Sequence, residues 1–557
     1  MELTYSKQSA ISGKLVICCT LLFLFKLWLL VPFEVIARTA PHDDTLFISQ
    51  ALSILNGQWL GSYDQFTLMK SPGYPLFIAA SNFLGLPLLF SQQLLYASAC
   101  LMFVLAAGQV TRSIILLLFA YTLLLFNPFT YSFFPNAYPF RFSIYPAITL
   151  FCFSLLLLLS IRLTVSPSRY LIPALFLGFM LGWFWHTRGE GIWLIPSIAI
   201  IALYVLIYSW LIRESIGRTQ AVVSGTAVLM IFLLWGLSLS ALNWSKYGVF
   251  IHNELKSSEF QSAYGGLLRI KTNRWERYIP VNREARENAY RVSPTFNRLS
   301  QYFEHGRGTE TWMKGMSDYP AAYFPWAFRD ALHDAGLYRD ARPTLDFYRR
   351  IGRELDDACN TGRLSCRPRY SNLTPAWHSE WNKLLAPIIL STIKRMVKFK
   401  GYVFEGPRHG SSDDDKLATN YKYVTLSAVR PQTPELLQRV PLFHKNRIVR
   451  SQTIILGINW FYRRIPQVLF GLALVGLGWR IVVCARTRQV KVWDVLSLAI
   501  LTGLFSYAAV LTVLQITSYS SIGRQLNTTY PLTLLFIISV IFSFSKDSLG
   551  RRSARKE

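Results

Sequence analysis

The chain has 557 residues, 52% of them hydrophobic and only 16% charged, and its 58 Lys and Arg outweigh 31 Asp and Glu to give a net charge of +27. A composition this apolar excludes an ordinary soluble domain and a disordered chain. The basic excess brings no nucleic-acid-binding motif with it, so nucleic acid is not an expected partner; anchoring against anionic lipid headgroups accounts for much of the charge.

Apolar runs of roughly 17–25 residues read as membrane-spanning helices. The first covers residues 15–33. Lys7 and Lys14 precede it and orient its start toward the cytoplasm, and no A-x-A cleavage site follows, so it is expected to be a retained span. Further runs lie near 94–110, 114–127, 145–161, 171–185, 192–212 and 222–242, then 468–483, 492–514 and 529–544. The basic links Thr111-Arg112, 162–169, 213–218 and 486–491, with the tail 546–556, should all lie on the cytoplasmic face. Residues 75–90 are apolar enough to cross, yet counting them as a crossing puts every later basic link on the wrong side. They are therefore read as a helix lying at the outer surface or dipping partway in.

The predicted fold is a polytopic α-helical membrane protein with about ten spans, multi-pass in the inner (plasma) membrane, with both termini cytoplasmic. It comprises an N-terminal membrane block 1–243, a mixed extracytoplasmic insertion 244–464 and a C-terminal block 465–557 with a basic tail. Residues near 38–90, 129–140, 187–191, 244–464 and 516–527 would share the outer face. Membrane lipid is then an obligatory partner. The insertion is Arg-rich, which suits phosphate or anionic glycolipid because the guanidinium fork matches their oxygens.

The first outer loop, PHDDTLFISQALSILNGQWLGSYDQFTLMKSPGYP, is the most informative stretch. Asp43 and Asp44 stand just past the first span, at the start of an amphipathic helix that Gly57 stops. Acidic residues here can cap the helix and complement its dipole. A cap needs only one acid, and two carboxylates at a membrane face can also serve as general base and cation ligand. Lys70 follows, where an interfacial lysine would snorkel to the headgroups. Farther on, Trp185-His186-Thr187-Arg188-Gly189-Glu190-Gly191 turns between two spans. Arg188 and Glu190 at that depth would be either mutually paired or functional. Arg141 lies at the outer mouth of another span, and Arg524 precedes the Tyr-Pro that opens the last one.

In the insertion, Cys359 and Cys366 are expected to form a local disulfide, and the other five cysteines lie in or beside spans. The block YFPWAFRDALHDAGLYR is the most distinctive part of the insertion. It places Arg329, Asp330, His333 and Asp334 at helical spacing, where they could share one face as a surface network. It reads as part of an acceptor-recognition or structural domain. Residues 384–397 read as an amphipathic basic helix on the outer leaflet.

The first loop resembles that of the GT-C superfamily of membrane glycosyltransferases, which includes protein O-mannosyltransferases, the aminoarabinose transferases that modify lipid A, and oligosaccharyltransferases. The shared pattern is an acidic pair after the first span, an amphipathic helix ending in Gly, and a Lys- or His-Pro-Pro element opening a surface helix. Here that element is Lys70-Ser71-Pro72-Gly73-Tyr74-Pro75, with Ser71 in place of the first proline.

The resemblance implies transfer of a sugar from a polyprenyl-phosphate donor to an extracytoplasmic glycan, lipid or protein acceptor, with inversion. Asp43 would be the general base and Asp44 its alternative or orienting partner. Lys70, Arg188, Arg524 and Arg141 would hold the donor phosphate, and Glu190 or His186 would hold acceptor or metal. No cofactor is certain; a divalent metal (Mg, Mn or Zn) is left open. A polymerase or ligase of lipid-linked glycans would share the large outer loop but usually lacks the acidic pair. A transporter or flippase would need polar residues along its spans, which are nearly uniformly apolar here. A non-catalytic assembly factor that kept the fold is a fourth reading.

Overall fold

The structure, a computed structural model, describes residues 13–30, 34–132, 136–164, 169–211, 215–313, 315–369, 373–399, 410–431, 442–518 and 522–545. Lys7 and the basic tail 546–556 fall outside these residues. In chain order, α1 (Gly13–Leu30) leads through a linker to α2 (Asp44–Leu55) and α3 (Gly73–Phe83). The membrane helices α4 (Leu88–Ala107), α5 (Ile114–Leu125), α6 (Tyr145–Thr164), α7 (Leu171–Thr187), α8 (Ile195–Leu211) and α9 (Ser215–Tyr247) follow. The insertion holds α10 (Ser258–Leu268), α11 (Arg283–Val292), α12 (Arg307–Trp312), α13 (Phe324–Asp334), α14 (Ala341–Asn360), α15 (Asn382–Val397) and α16 (Asp415–Thr425). The chain closes with α17 (Leu442–Tyr462), α18 (Ile465–Thr487), α19 (Val492–Thr517) and α20 (Thr529–Phe544). Among the described residues β-pairing is confined to isolated bridges.

Among the described residues, eight helical stretches are long and apolar enough to cross a bilayer, which makes the chain a polytopic α-helical membrane protein. The two other expected crossings are shorter helices, α5 with 12 residues and α7 with 17. Ser113 starts α5 by accepting the Leu116 N–H, and the Asn127-Pro128 step opens a 3-10 turn just beyond it. Helix α3 has 11 residues and spans only about 16 Å at 1.5 Å per residue, against a hydrocarbon core of about 30 Å. That is short for a crossing, and since α5 is only one residue longer it is the charge map that distinguishes the two. The surface helix was expected to reach residue 90, but it ends at Phe83. Gly85 at φ +70° and Pro87 break the chain, and residues 88–90 belong to α4.

Burial sorts helices that hydropathy does not. The apolar windows containing α6 and α20 are each 94% buried and form the hub of the bundle, whereas that of α9 is 17% buried and faces outward. Lipid tails are as apolar as leucine, so close packing rather than hydrophobicity must hold the helices together. Gly178 and Gly182 of α7 supply it. A Cβ at Gly178 would stand 2.6 Å from the Val228 carbonyl oxygen, and one at Gly182 would stand 2.1 Å from the Trp235 indole, both on α9. The link before α19 meets the end of α20, where Lys491 Nζ donates to the Ser543 carbonyl at 3.0 Å.

The insertion sits at the opposite end, over α2 and the loop that follows it. Its core is aromatic, built from Phe260, Phe296, Phe303, Phe324, Phe328 and Tyr348. Helix α15 packs against α19, with Thr392 and Met396 buried and Leu390 65% exposed. Residues 442–462, expected within the insertion, form α17, which lies along α1 and sends its Tyr462 hydroxyl to the Leu123 carbonyl at 2.7 Å.

Gly182→Leu should separate α7 from α9. The expected outcome is a loss of roughly 1–3 kcal/mol of stability, read as a lower thermal midpoint of the detergent-solubilised protein.

Candidate functional site

The linker after α1 is positioned by chain nearly four hundred residues away. Val35 N–H donates to the Ala428 carbonyl and Arg430 N–H to the Val35 carbonyl, both at 2.9 Å. Ser412 N–H donates to the Ala37 carbonyl at 2.7 Å, and the Tyr421 hydroxyl to the Arg38 carbonyl at 3.2 Å. This clasp, which contains α16, delivers the acid pair to the start of α2.

The two acids meet opposite environments. Asp43 occupies the cap position of α2 but makes no capping hydrogen bond, so capping is not what its carboxylate does. Its side chain is 38% exposed and accepts from Lys70 Nζ at 2.5 Å. Asp44 is fully buried and accepts no hydrogen bond; its ion-pair partner is Arg38, at 3.6 Å. Burial pushes the Asp44 carboxyl up to about 6, against the pull of Arg38.

Lys70 is committed in the same way. Besides Asp43, its ammonium donates to the His42 carbonyl and lies 5.1 Å from the ring centres of both Phe47 and Trp326. Burial lowers its pKa to about 8, with Asp43 opposing the shift.

Arg141 lies over the same Phe47 ring at 5.5 Å, and its Nη1 donates to the Thr187 carbonyl at 3.4 Å. It thereby joins the acid pair to the next cluster. Arg188 donates to both Glu190 oxygens, at 3.1 and 2.9 Å, and its guanidinium sits 3.9 Å from the Phe142 ring centre. Burial opposes ionisation of Glu190, but Arg188 prevails and holds the carboxyl well below the usual range. Arg188 is 4% exposed, and its Nη1 is buried with no hydrogen-bond partner. Arg524, exposed ahead of the 3-10 turn Gln525–Thr528, is close enough to act electrostatically on Asp44 and Tyr138.

Of the sequence-derived candidates, Asp43, Asp44, Lys70, Arg141, Arg188, Glu190 and Arg524 therefore form one connected region. His186 does not join Glu190. It turns toward α9, stacked on Trp235 and edge-on to His252 with ring centres 5.1 Å apart. Among the described residues no three His, Cys, Asp or Glu side chains are grouped to hold a metal. Cys359 and Cys366 are joined as a disulfide, with Cα atoms 5.6 Å apart, at the end of α14 and away from this region.

The expected common face of Arg329, Asp330, His333 and Asp334 does not form. Arg329 is fully buried, ion-paired to Glu254, and its Nε donates to the Gln65 carbonyl at 2.8 Å. Asp330 accepts the Trp312 indole N–H at 3.0 Å, and Asp334 pairs with Arg307. Glu254, Arg38 and His42 were not singled out from the sequence. Arg38 and His42 flank the acid pair, and that adjacency was the available signal; Glu254 carried none.

Beneath the Arg188 turn, α6 to α9 line an apolar cleft of about 570 Å³ that opens to the outside of the bundle. Phe184 and Trp185 line its upper end, and Ala202, Gly225 and Val228 its walls. Phe184 stacks on Tyr145, and the Arg188 guanidinium lies 5.3 Å from that same Tyr145 ring.

No protein-family model matches the chain, and no curated protein matches it. Among solved structures it aligns with ArnT from Cupriavidus metallidurans in the apo state, at 14% identity and a TM-score of 0.30 over 95% of this chain and 78% of that one. The same protein bound to undecaprenyl phosphate aligns at 12% identity and a TM-score of 0.29, with the same coverage.

Burial gives Asp44 a folded pKa above its unfolded one, so the folded state binds more protons between about pH 4 and 6 and stability falls as pH rises through that window. Asp44→Asn should abolish this dependence and be more stable than wild type at pH 7.5 by on the order of 2 kcal/mol. Thermal unfolding across pH 4–8 reads the difference.

Proposed function

We propose that the chain is a membrane glycosyltransferase of the GT-C type. It would move a sugar from a polyprenyl-phosphate donor in the inner membrane to an acceptor hydroxyl at the insertion-bearing face. The observation that carries this reading is one run of residues. An exposed carboxylate stands against a lysine, the lysine connects through Arg141 to a buried arginine with an unused donor, and an open apolar cleft lies below.

Each part has a chemical task. A sugar hydroxyl becomes a competent nucleophile when a base takes its proton, and Asp43 is the acid of the pair that an acceptor can reach. The acceptor oxygen attacks the anomeric carbon as the bond to the phosphate oxygen breaks, the proton passes to Asp43, and the phosphate stays on its lipid. Attack opposite the leaving group inverts the anomeric centre. Lys70, Arg141 and Arg188 offset the charge left on the phosphate, and Arg188 Nη1 is already desolvated for that contact. The Lys70–Asp43 pair gives an order to these events. A phosphate that draws Lys70 to itself releases Asp43 from its ion pair, so the base is freed when the donor is seated.

Glu190 holds Arg188 in place and Asp44 is withdrawn from solvent, so neither is given a proton-transfer role. With Asp43 and Glu190 both paired to cations, no step is routed through a metal.

Asp43→Asn should lower transfer from polyprenyl-linked sugar by roughly 10²–10⁴-fold in purified protein while donor binding persists. Equal rates in the two proteins would remove Asp43 from the mechanism. The tail site has a separate test. Gly225 lines the cleft, and a Cβ there meets nothing within 4 Å, so Gly225→Trp fills the space without a backbone clash. KM should rise for long-chain polyprenyl donors and stay unchanged for donors truncated to two isoprene units.

A further inference from the structure

The face that α13 turns toward the acid pair is not used by any step above. Tyr323, Trp326 and Asp330 are spaced i, i+3 and i+7 there, and Trp312 from α12 packs against them. The His42 ring is held edge-on among Trp312, Trp326 and Phe66, with ring centres 4.7–4.9 Å away. Trp326 also lies 5.1 Å from Lys70 Nζ, which itself contacts the Asp43 carboxylate. This aromatic wall therefore stands beside the base, one residue layer away.

Three further observations give the wall a polar character that packing alone does not require. Trp326 is half-buried, and its indole N–H has no hydrogen-bond partner among the described residues. Asp330 Oδ2 accepts from Trp312, but Oδ1 is buried with no donor. Tyr323 is 36% exposed beside them. Flat apolar rings with an N–H that no protein group takes up and a buried carboxylate oxygen without a donor match one ligand chemistry well. The C–H face of a pyranose stacks on an aromatic ring while its hydroxyls donate to carboxylate and accept from N–H. A peptide or a simple lipid headgroup satisfies only part of that pattern.

We propose that Tyr323, Trp326 and Asp330, with Trp312 behind them, form a saccharide-binding subsite that presents a sugar hydroxyl to Asp43, so that the acceptor is a glycan or the sugar of a glycolipid. The inference rests on the glycosyltransferase reading and adds the acceptor class to it. It also gives the insertion a direct part in the site.

Full-length protein in detergent is tested by saturation-transfer NMR with methyl glycosides of glucose, galactose, mannose and N-acetylglucosamine as probes. Turnover of polyprenyl-phosphate-linked hexoses by the wild type is measured alongside. At least one glycoside should show saturation transfer, weakened about tenfold in Trp326→Ala. Trp326→Phe keeps a ring against His42 and removes the indole N–H; it should give an intermediate loss, and Asp330→Asn a loss of similar size. Wild type that turns over donor but binds none of the glycosides, or binding that Trp326→Ala and Asp330→Asn leave intact, overturns the subsite alone. Absence of donor turnover with every hexose overturns the glycosyltransferase reading instead.

Discussion

The buried pairing of Arg329 with Glu254 is the contact on which the functional region depends. Glu254 also accepts from the Tyr63 hydroxyl at 3.1 Å and from the Tyr338 hydroxyl, while Arg329 holds the Gln65 carbonyl. Four segments distant in sequence thus meet at one carboxylate: the first loop, the start of the insertion, α13, and the turn before α14. A buried ion pair gains little over an apolar contact of the same size, but losing one partner leaves an uncompensated charge. The pair therefore acts as a registration device. It sets α13 over the first loop in one position, and that position brings Trp326 beside Lys70 and His42.

Around the acid pair the electrostatic arrangement is graded. Asp43 is neutralised by Lys70, whose pKa burial lowers; Asp44 is buried against Arg38 at 3.6 Å; Arg188 is held by both Glu190 oxygens. Positive charge is in excess, and most of it is fixed on aromatic rings: Arg38 on Tyr138, Lys70 on Phe47, Arg188 on Phe142. Rings orient a cation without neutralising it. Each of the three is also paired with a carboxylate, Asp44, Asp43 and Glu190 in turn, so the rings add orientation to ion pairs that an incoming anion would have to displace or share.

Much of this was legible in the sequence because membranes impose strict rules. Span length and charge asymmetry located the helices and demoted α3 to a surface element, and adjacency to α1 marked Asp43 and Asp44. The helix ends at Phe83 and Leu125 were less legible because local breakers decide them, Gly85 with Pro87 in one case and Asn127-Pro128 in the other. The different fates of the two acids could not be read at all. The burial of Asp44 depends on Tyr421, which packing brings to the Arg38 carbonyl from 383 residues away. Arg329 shows the converse error: helical spacing suggested a surface network, whereas the residue is buried because a glutamate 75 positions earlier in the chain lies opposite it.

The clasp between residues 411–430 and the linker after α1 bears on how the protein is made. Val35, Ala37 and Arg38 leave the ribosome early, but their hydrogen-bond partners follow only after seven membrane helices and most of the insertion have been synthesised. Until then Val35 and Ala37 lack these partners, although the Arg38 carbonyl already has the Thr45 hydroxyl at 2.9 Å. A chain arrested before residue 430 would carry every charged residue of the first loop and still lack the geometry that arms it. The clasp therefore closes only once residue 430 has been made, with four of the described helices still to follow.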